Sequence, residues 1–152
     1  MPLVTLWIID RRYLFEHNAP GIDDYLRLRA DTGLTPKTAE QAAPIFENSW
    51  LWVRAIEKES GQAVGMGRVI GDSGWCFLIA DMATDPAHQR RGIGRAILEE
   101  LLSTILTSAP DNTYIVLLAD APGRPLYQSM GFVETSPHSI GMQYVPDKTS
   151  TQ

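Results

Sequence analysis

Cysteine is almost missing from this chain of 152 residues. Cys76 is the single cysteine, so the sequence excludes a disulfide within the chain and a zinc site built from four cysteines. Because Cys76 lies in an apolar run, we expect it to act as a small buried hydrophobe. His17 and His138 belong to no recognisable ligand pattern, and His88 is expected at the surface. No bound metal is therefore predicted.

Basic residues are also scarce relative to acidic ones. Thirteen Lys and Arg face eighteen Asp and Glu, which gives a formal net charge of −5. Proteins that bind nucleic acids or anionic membranes usually carry the opposite excess, so neither partner is expected. The apolar runs are too short to span a bilayer, and the first residues lack the basic leader and cleavage site of a signal peptide. We expect a cytoplasmic monomer or homodimer.

The composition is otherwise that of an ordinary globular protein. Apolar residues make up 44% of the chain and charged residues 20%. A chain of this length can bury a sizeable core without disulfide bonds or a structural metal. We predict a single domain over residues 1–145. Residues 146–152 are expected to form a flexible C-terminal tail.

The first half of the sequence predicts two helices followed by a meander of strands. Apolar residues share one face from Gly21 to Ala30, and the Thr35-Pro36 pair is typical of the start of a second helix, which would run to about Phe46. An opening strand is expected within Val4–Phe15. Short polar turns then separate three predicted strands: Trp50–Glu57, Ala63–Ile70 and Trp75–Thr84.

The second half alternates helices and strands. Apolar residues recur every four positions from Ile93 to Ile105, which predicts a helix over Gly92–Ser108. Tyr114–Ala119 is apolar on both faces and is typical of a central strand covered on both sides. Three further elements are expected: a short helix over Pro125–Met130 and strands over Phe132–Glu134 and Ile140–Val145. This order predicts an α/β fold, a mixed sheet with an antiparallel meander, flanked by about four helices.

The loop before the long helix carries the sequence Gln89-Arg90-Arg91-Gly92-Ile93-Gly94-Arg95. A helix N-terminus presents unpaired N–H groups, glycines let an anion approach them, and the arginines add full charges, so the segment is suited to a pyrophosphate. It is not a P-loop, since no Gly-Lys-Ser/Thr follows, and Ile97 stands where the dinucleotide fingerprint has its third glycine. The simpler alternative is a helix start with solvated arginines.

Two blocks of this sequence resemble signatures of the GNAT superfamily of N-acetyltransferases. Gln89 to Gly94 resembles its Gln/Arg-x-x-Gly-x-Gly/Ala motif, and Asp81 to Pro86 resembles the strand that leads into it. Leu126 to Phe132 resembles the Tyr-x-x-x-Gly-Phe motif. The resemblance implies a single GNAT-like domain with splayed central strands. It also implies acetyl-CoA as co-substrate and direct transfer of its acetyl group to an amine in a ternary complex.

The resemblance also implies which residues hold the cofactor. Backbone N–H groups of the loop would bind the pyrophosphate, and the end of the third meander strand would pair with pantetheine. A free N–H near Met82 or Ala83 would polarise the thioester carbonyl. The expected cofactor-binding residues are Met82, Ala83, Thr84, Gln89, Arg90, Arg91, Gly92, Ile93, Gly94, Arg95, Asp120 and Tyr127.

Two residues are candidates for proton transfer. By the resemblance Tyr127 would protonate the departing thiolate, since a phenol is protonated at neutral pH; the alternative is a core aromatic. Asp81, in an otherwise apolar strand, could accept the proton of the amine, directly or through water, or could be a structural carboxylate. The family often has Asn and Ala where this chain has Asp120 and Gly123, which leaves the role of Asp120 open.

The acceptor is expected to be a primary amine of a small molecule. Alternatives are a protein N-terminus or lysine, and a non-catalytic module that binds acyl-CoA. The glycines between Gly65 and Gly71 indicate a bulge, a ligand in close approach, or crowding against a neighbouring element. Side chains that could line the acceptor site are Tyr25, Leu28, Arg29, Asp31, Phe46, Trp50 and Trp52.

Overall fold

A computed structural model describes residues 10–146 and divides the chain into two compact units, which meet in sequence between Leu117 and Leu118. The first unit holds one five-stranded sheet in the order β1-β2-β3-β4-β5. The strands β1 to β4 form an antiparallel meander, and β5 pairs with β4 in parallel. The predicted mixed sheet is confirmed. Its strands are β1 (Tyr13–Glu16), β2 (Leu51–Glu57), β3 (Ala63–Gly71), β4 (Cys76–Thr84) and β5 (Tyr114–Val116).

Helices cover both faces of this sheet. On one face α4 packs against β2, β3 and β4. The opposite face is covered by α1, which contacts β3, β4 and α2. The helices of the first unit are α1 (Ile22–Asp31), α2 (Ala39–Ala42), α3 (Ile45–Asn48) and α4 (Ile93–Ser108).

The long predicted helix is confirmed as α4. Its fourfold apolar repeat is buried, and Ile93, Ile97, Leu101 and Ile105 are each at most 2% exposed. Gly92 precedes the helix in the left-handed conformation, with φ of +82°. An apolar stripe of this width specifies which face of a helix meets the sheet, and thereby orients the loop at its N-terminus.

The glycines of β3 leave room for α4. A Cβ atom at Gly65 would lie 2.6 Å from Cγ2 of Ile93 and 3.0 Å from Cδ1 of Ile97. At Gly67 the nearest atoms would be Sδ of Met82, at 2.6 Å, and Cγ2 of Ile97, at 2.9 Å. Crowding against a neighbouring element therefore accounts for both glycines, and the expected bulge is also present at Gly67, where the register with β4 shifts,.

The second predicted helix is wrong in its start and its continuity. The chain forms two short helices instead, because Thr38 and Gln41 make a reciprocal capping box that begins α2 at Ala39,. Pro44 then interrupts the helix and serves as the N-cap of α3,. The expected cap at Thr35 does not form, and the carbonyl of Thr35 accepts two N–H groups of Arg29.

Two expectations for the end of the sheet are corrected. β5 stops at Val116 and is the last strand in the order, and Tyr114 is 46% exposed, so β5 is not a central strand covered on both sides. The final strands predicted over Phe132–Glu134 and Ile140–Val145 do not form within the described residues. Their apolar composition suits a strand, but a strand needs a partner for its backbone groups, and residues 135–139 form a local turn instead.

The second unit contains a 3-10 turn over Ala121–Gly123 and the helix α5 (Arg124–Ser129). Gly131 follows α5 in the left-handed conformation, as expected for a glycine that ends a helix,. The predicted single domain over residues 1–145 stays a prediction. Residues 4–9 of the first predicted strand and residues 147–152 of the predicted tail lie outside the described residues. Between residues 10 and 146 no helix is long and apolar enough to cross a membrane.

We predict that Gly65→Ala lowers the free energy of unfolding by about 1–3 kcal/mol. The new methyl group meets Ile93 and Ile97, which are buried and cannot turn away. Gly21→Ser is the matched control, since a Cβ at Gly21 meets nothing within 4 Å and serine is a good N-cap. Urea denaturation measures both variants. Equal stability of the two would show that β3 and α4 are not in close contact.

Candidate active site

The sheet is interrupted by a bulge near the end of β4. Met66 pairs with Ala83 and Arg68 with Ala80, so Gly67 stands opposite both Asp81 and Met82. Asp81 adopts a left-handed φ of +55°, which is uncommon for a residue with a side chain. A bulge leaves the extra residue out of the ladder and redirects its side chain. Asp81 and Met82 point to opposite faces, as successive strand residues do, Asp81 towards α1 and Met82 towards α4,.

Asp81 is held by three donors from distant parts of the chain. Its side chain is 3% exposed and forms ion pairs with Arg29 and Arg68. The Arg68 Nε–Oδ2 distance is 2.6 Å, and the Tyr25 hydroxyl donates to Oδ2 at 3.0 Å. Both carboxylate oxygens are therefore engaged by α1 and β3. We call Asp81, Tyr25, Arg29 and Arg68 the Asp81 cluster.

Burial and the neighbouring carboxylate keep the tyrosine of this cluster protonated. Burial, the Asp81 charge and the hydrogen bond to Asp81 raise the pKa of Tyr25 to about 12. The hydroxyl of Tyr25 therefore remains a donor to Asp81 throughout the physiological range. Two guanidinium groups against one carboxylate leave the cluster with a net charge of +1.

The expected acceptor-lining residues fall into three groups. Tyr25, Leu28 and Trp52 are buried in the core between α1 and the sheet, and Phe46 stacks on Trp52 with ring centroids 5.7 Å apart. Trp50 instead donates its indole N–H to Ser73. Arg29 joins the Asp81 cluster, whereas Asp31 is half-exposed beside Arg27. The structure therefore brings Tyr25 and Arg29 to the bulge, whereas Phe46 and Trp52 pack against each other.

The loop between β4 and α4 has the backbone shape expected of an anion site. Pro86–His88 forms a 3-10 turn that is capped by the Asp85 side chain. Arg90 and Gly92 both have left-handed φ values, +61° and +82°, and no side chain caps the N-terminus of α4. Consecutive N–H groups around left-handed residues form concave anion sites, and an uncapped helix N-terminus adds to their positive potential.

The side chains of this loop have different roles. Gln89 donates its amide N–H to the carbonyl of Thr84 at 3.1 Å, which ties the start of the loop to β4. Arg91 donates to the Tyr13 hydroxyl at 2.9 Å. The side chain of Ile93 is part of the core, so only its backbone can face a ligand. Arg90 and Arg95 are exposed, and Gly94 lies in the first turn of α4.

The end of β4 offers one free edge. β4 pairs with β5 only from Cys76 to Leu78, so residues 79–84 have no strand partner on that edge among the described residues. The expected splay of the central strands stays a prediction, because β5 ends at Val116 and does not run beside this stretch. Met82, Ala83 and Thr84 lie on this stretch, with Ala83 buried at 6% exposure and its side chain part of the core. Their contribution to a ligand would come from the backbone.

Tyr127, Gly123 and Asp120 belong to the second unit. The Tyr127 ring lies on Gly123, where a Cβ atom would be 2.7 Å from Cε2. It also packs edge-on against Phe132. Burial, followed by the charge of Asp120, raises the pKa of the Tyr127 hydroxyl. Gly123 therefore stands where the family often has alanine because the tyrosine ring occupies the space of the side chain.

Two residues of the first unit, His88 and Arg68, were missed by the sequence analysis. His88 is not a surface residue: its side chain is 14% exposed and bonded to the hydroxyl of Tyr13. Arg68 was considered only as part of a glycine-rich strand. No sequence signal marks these residues, because each partner lies far away in the chain. Within residues 10–146, no group of three or more His, Cys, Asp or Glu is arranged to hold a metal ion.

Known proteins resemble this chain in sequence. The family model for the acetyltransferase (GNAT) domain matches residues 47–134. The probable acetyltransferase TAP2 of Glycine max is 30% identical over 137 residues, which cover 83% of this chain and 54% of that protein. The histone acetyltransferase TAP1 of the same plant is 34% identical over 90 residues, 59% of this chain and 38% of that protein. The chain thus spans about half, or less, of the length of these relatives.

A solved structure extends the match to nearly the whole chain. The probable acetyltransferase SA2161 of methicillin-resistant Staphylococcus aureus is 34% identical and superposes with a TM-score of 0.82. The match covers 88% of this chain and 99% of that one. The family model itself covers more than half of the residues and includes both the loop before α4 and Tyr127. The chain belongs to the GNAT family of acetyltransferases.

Proposed function

We propose that this enzyme transfers the acetyl group of acetyl-CoA to the primary amine of a small molecule by direct attack in a ternary complex. The observation that carries the proposal is the loop of residues 89–95. Its left-handed residues and the uncapped N-terminus of α4 suit a diphosphate,. That loop follows directly on the bulged end of β4. A diphosphate site beside an open strand edge matches the two ends of a phosphopantetheine chain.

The chain's own backbone would hold the cofactor along β4. Acetyl-CoA supplies the acetyl group as a thioester. The edge of residues 79–84 is free of a strand partner on one side, so the amides of Met82 to Thr84 can pair with an extended ligand as a further strand would. The bulge takes the extra residue out of the ladder. The N–H that it releases would polarise a carbonyl oxygen.

Asp81 has two alternative roles, and its contacts support the structural one. A general base needs a free lone pair within reach of the proton that it abstracts. Both oxygens of Asp81 accept hydrogen bonds from Arg29, Arg68 and Tyr25, and the side chain is only 3% exposed. We propose that Asp81 shapes the bulge and that water removes the proton from the amine.

Tyr127 is proposed as the general acid. Its raised pKa keeps the phenol protonated at neutral and mildly alkaline pH, which is the state that an acid must have before sulfur departs. The supporting observation is local: the ring is held by Gly123 and Phe132. A fixed ring presents its hydroxyl in one direction. Asp120 contributes by its charge, which favours the protonated phenol.

A protein acceptor is the second candidate. The relative TAP1 is named a histone acetyltransferase, which supports a lysine side chain as acceptor. Turnover of acetyl-CoA with a panel of small amines and with lysine peptides separates the two. Faster acetylation of small amines would support the first proposal, and faster acetylation of peptides would replace it with the second. Binding of acetyl-CoA without turnover of any amine would contradict both.

We predict that Gly94→Val weakens CoA binding at least tenfold, because a branched side chain in the first turn of α4 blocks an N–H group that would donate to phosphate. Gly94→Ala is the matched control, since the family motif accepts alanine at this position. Isothermal titration with CoA measures both variants. If Gly94→Val binds CoA as tightly as Gly94→Ala, the diphosphate lies elsewhere.

We predict that Asp81→Asn lowers the free energy of unfolding by about 3–5 kcal/mol, because it leaves two guanidinium groups without a buried counter-charge. Asp31→Asn is the control: its pair with Arg27 is half-exposed, and its loss should cost less than about 1 kcal/mol. The rate should rise from acid to mildly alkaline pH because the amine reacts in its neutral form, and this rise should persist in Asp81→Asn. A stable variant that has lost this pH dependence would show that Asp81 is the base.

We predict that Tyr127→Phe reduces kcat by about 10²–10⁴ while the KM for acetyl-CoA changes little, since the proton is needed only as sulfur departs. Steady-state kinetics measures the effect, and a donor with a more acidic leaving thiol should reduce it. Tyr114→Phe, on the exposed end of β5, is the control. Activity of Tyr127→Phe within twofold of the parent, with chemistry rate-limiting, would exclude the hydroxyl as the acid.

A further inference from the structure

The loop of residues 89–95 is tied to the far edge of the sheet through one hydroxyl group. Tyr13, on β1, is 5% exposed. Its oxygen lies 2.9 Å from Nη1 of Arg91 and 2.7 Å from Nδ1 of His88. The Tyr13 and His88 rings also pack edge-on, with centroids 5.6 Å apart. Tyr13 therefore contacts His88, just before the loop, and Arg91, within it.

Arg91 and His88 both contact the hydroxyl oxygen of Tyr13. A guanidinium group can only donate, so Arg91 donates to the Tyr13 oxygen,. The hydroxyl group also forms a hydrogen bond with Nδ1 of His88. On the other side of the His88 ring, Nε2 lies 3.9 Å from Oε1 of Glu57, which is beyond hydrogen-bonding distance,.

Tyr13 and Arg91 differ in how firmly the backbone holds them. Tyr13 pairs with Glu57 in the ladder of β1 and β2, so the hydroxyl stands on the sheet. Arg91 is exposed and lies between the left-handed residues Arg90 and Gly92. An exposed arginine loses side-chain entropy when a ligand immobilises it. A side chain that is already held loses less, which is the usual benefit of preorganisation.

Arg91 has further N–H donors besides the one that bonds to Tyr13. The Arg12 guanidinium lies 5.7 Å from the Tyr13 ring centroid and is paired with Asp10. Hydrogen bonds from Arg12 lower the pKa of Asp10 to about 2, so that pair is fully ionised at neutral pH. Only one of the five N–H groups of Arg91 is needed for Tyr13. The others can meet phosphate oxygens.

We propose that Tyr13 is a positioning residue for the diphosphate loop: it orders Arg91 before CoA binds and so strengthens recognition of the phosphates. The inference rests on the proposed function, since it takes the loop as the diphosphate site. Tyr13 also lies outside residues 47–134, the part matched by the family model. The position of Arg91 thus depends on a residue that the family motif does not contain.

The test compares Tyr13→Phe with the control Tyr114→Phe, using CoA and pantetheine as ligands in isothermal titration. Tyr13→Phe keeps the ring and deletes the hydroxyl. We expect its affinity for CoA to fall about tenfold, as for the loss of one hydrogen bond to a charged group. Its affinity for pantetheine, which carries no phosphate, should stay unchanged. Tyr114→Phe should bind both ligands like the parent.

A double-mutant cycle assigns the effect to Arg91. In an Arg91→Ala background the further change Tyr13→Phe should not weaken CoA binding, because the side chain to be positioned is gone. Additive losses, an unchanged CoA affinity of Tyr13→Phe, or an equal loss for CoA and pantetheine would each overturn the proposal. A parent enzyme that binds pantetheine as tightly as CoA would instead overturn the diphosphate site itself.

A second variant keeps the proposal testable if Tyr13→Phe is unstable. Arg91→Ala should lose at least as much affinity for CoA as Tyr13→Phe, while its affinity for pantetheine stays unchanged. An Arg91→Ala variant that binds CoA like the parent would overturn the proposal, because Tyr13 acts through this side chain.

Discussion

A buried carboxylate, Asp81, joins the elements on which the proposed chemistry depends. It lies in the bulge of β4 and accepts hydrogen bonds from Tyr25 and Arg29 on α1 and from Arg68 on β3. Two guanidinium groups could not remain in this setting without a counter-charge, and the carboxylate could not remain without donors. Each group therefore holds the others, and the left-handed backbone at Asp81 is held with them.

The two residues of β4 at the bulge face opposite sides of the sheet. Asp81 faces α1 and the charged cluster, whereas Met82 faces α4. The helix α4 reaches the sheet closely because Gly65 and Gly67 have no side chains. This close contact positions the loop of residues 89–95 at one end of the same strand that carries the bulge. One strand, β4, thus relates the proposed diphosphate site to the proposed thioester site.

The sequence predicted those parts of the fold that depend on local patterns. The repeat from Ile93 to Ile105 predicted α4, and alternation with polar turns predicted the meander. The resemblance in Gln89 to Gly94 predicted the family, because a loop that presents backbone N–H groups needs glycines at specific positions. The second helix was placed wrongly because Thr35-Pro36 and Thr38 offer competing starts, and only the capping box at Thr38 forms. The last two predicted strands were wrong for another reason: an apolar composition does not show which strand a segment would pair with.

The parts that escaped prediction are contacts between distant residues. Tyr25 and Asp81 are 56 positions apart, and Tyr13 and Arg91 are 78 apart. A carboxylate in an apolar strand suggested a base because a sequence does not show which donors will surround it. Once the fold brings Arg29 and Arg68 to both of its oxygens, the same carboxylate is better suited to hold structure than to accept a proton. The chemistry of a buried ionisable group is therefore decided by its partners, and these are specified by the topology of the sheet.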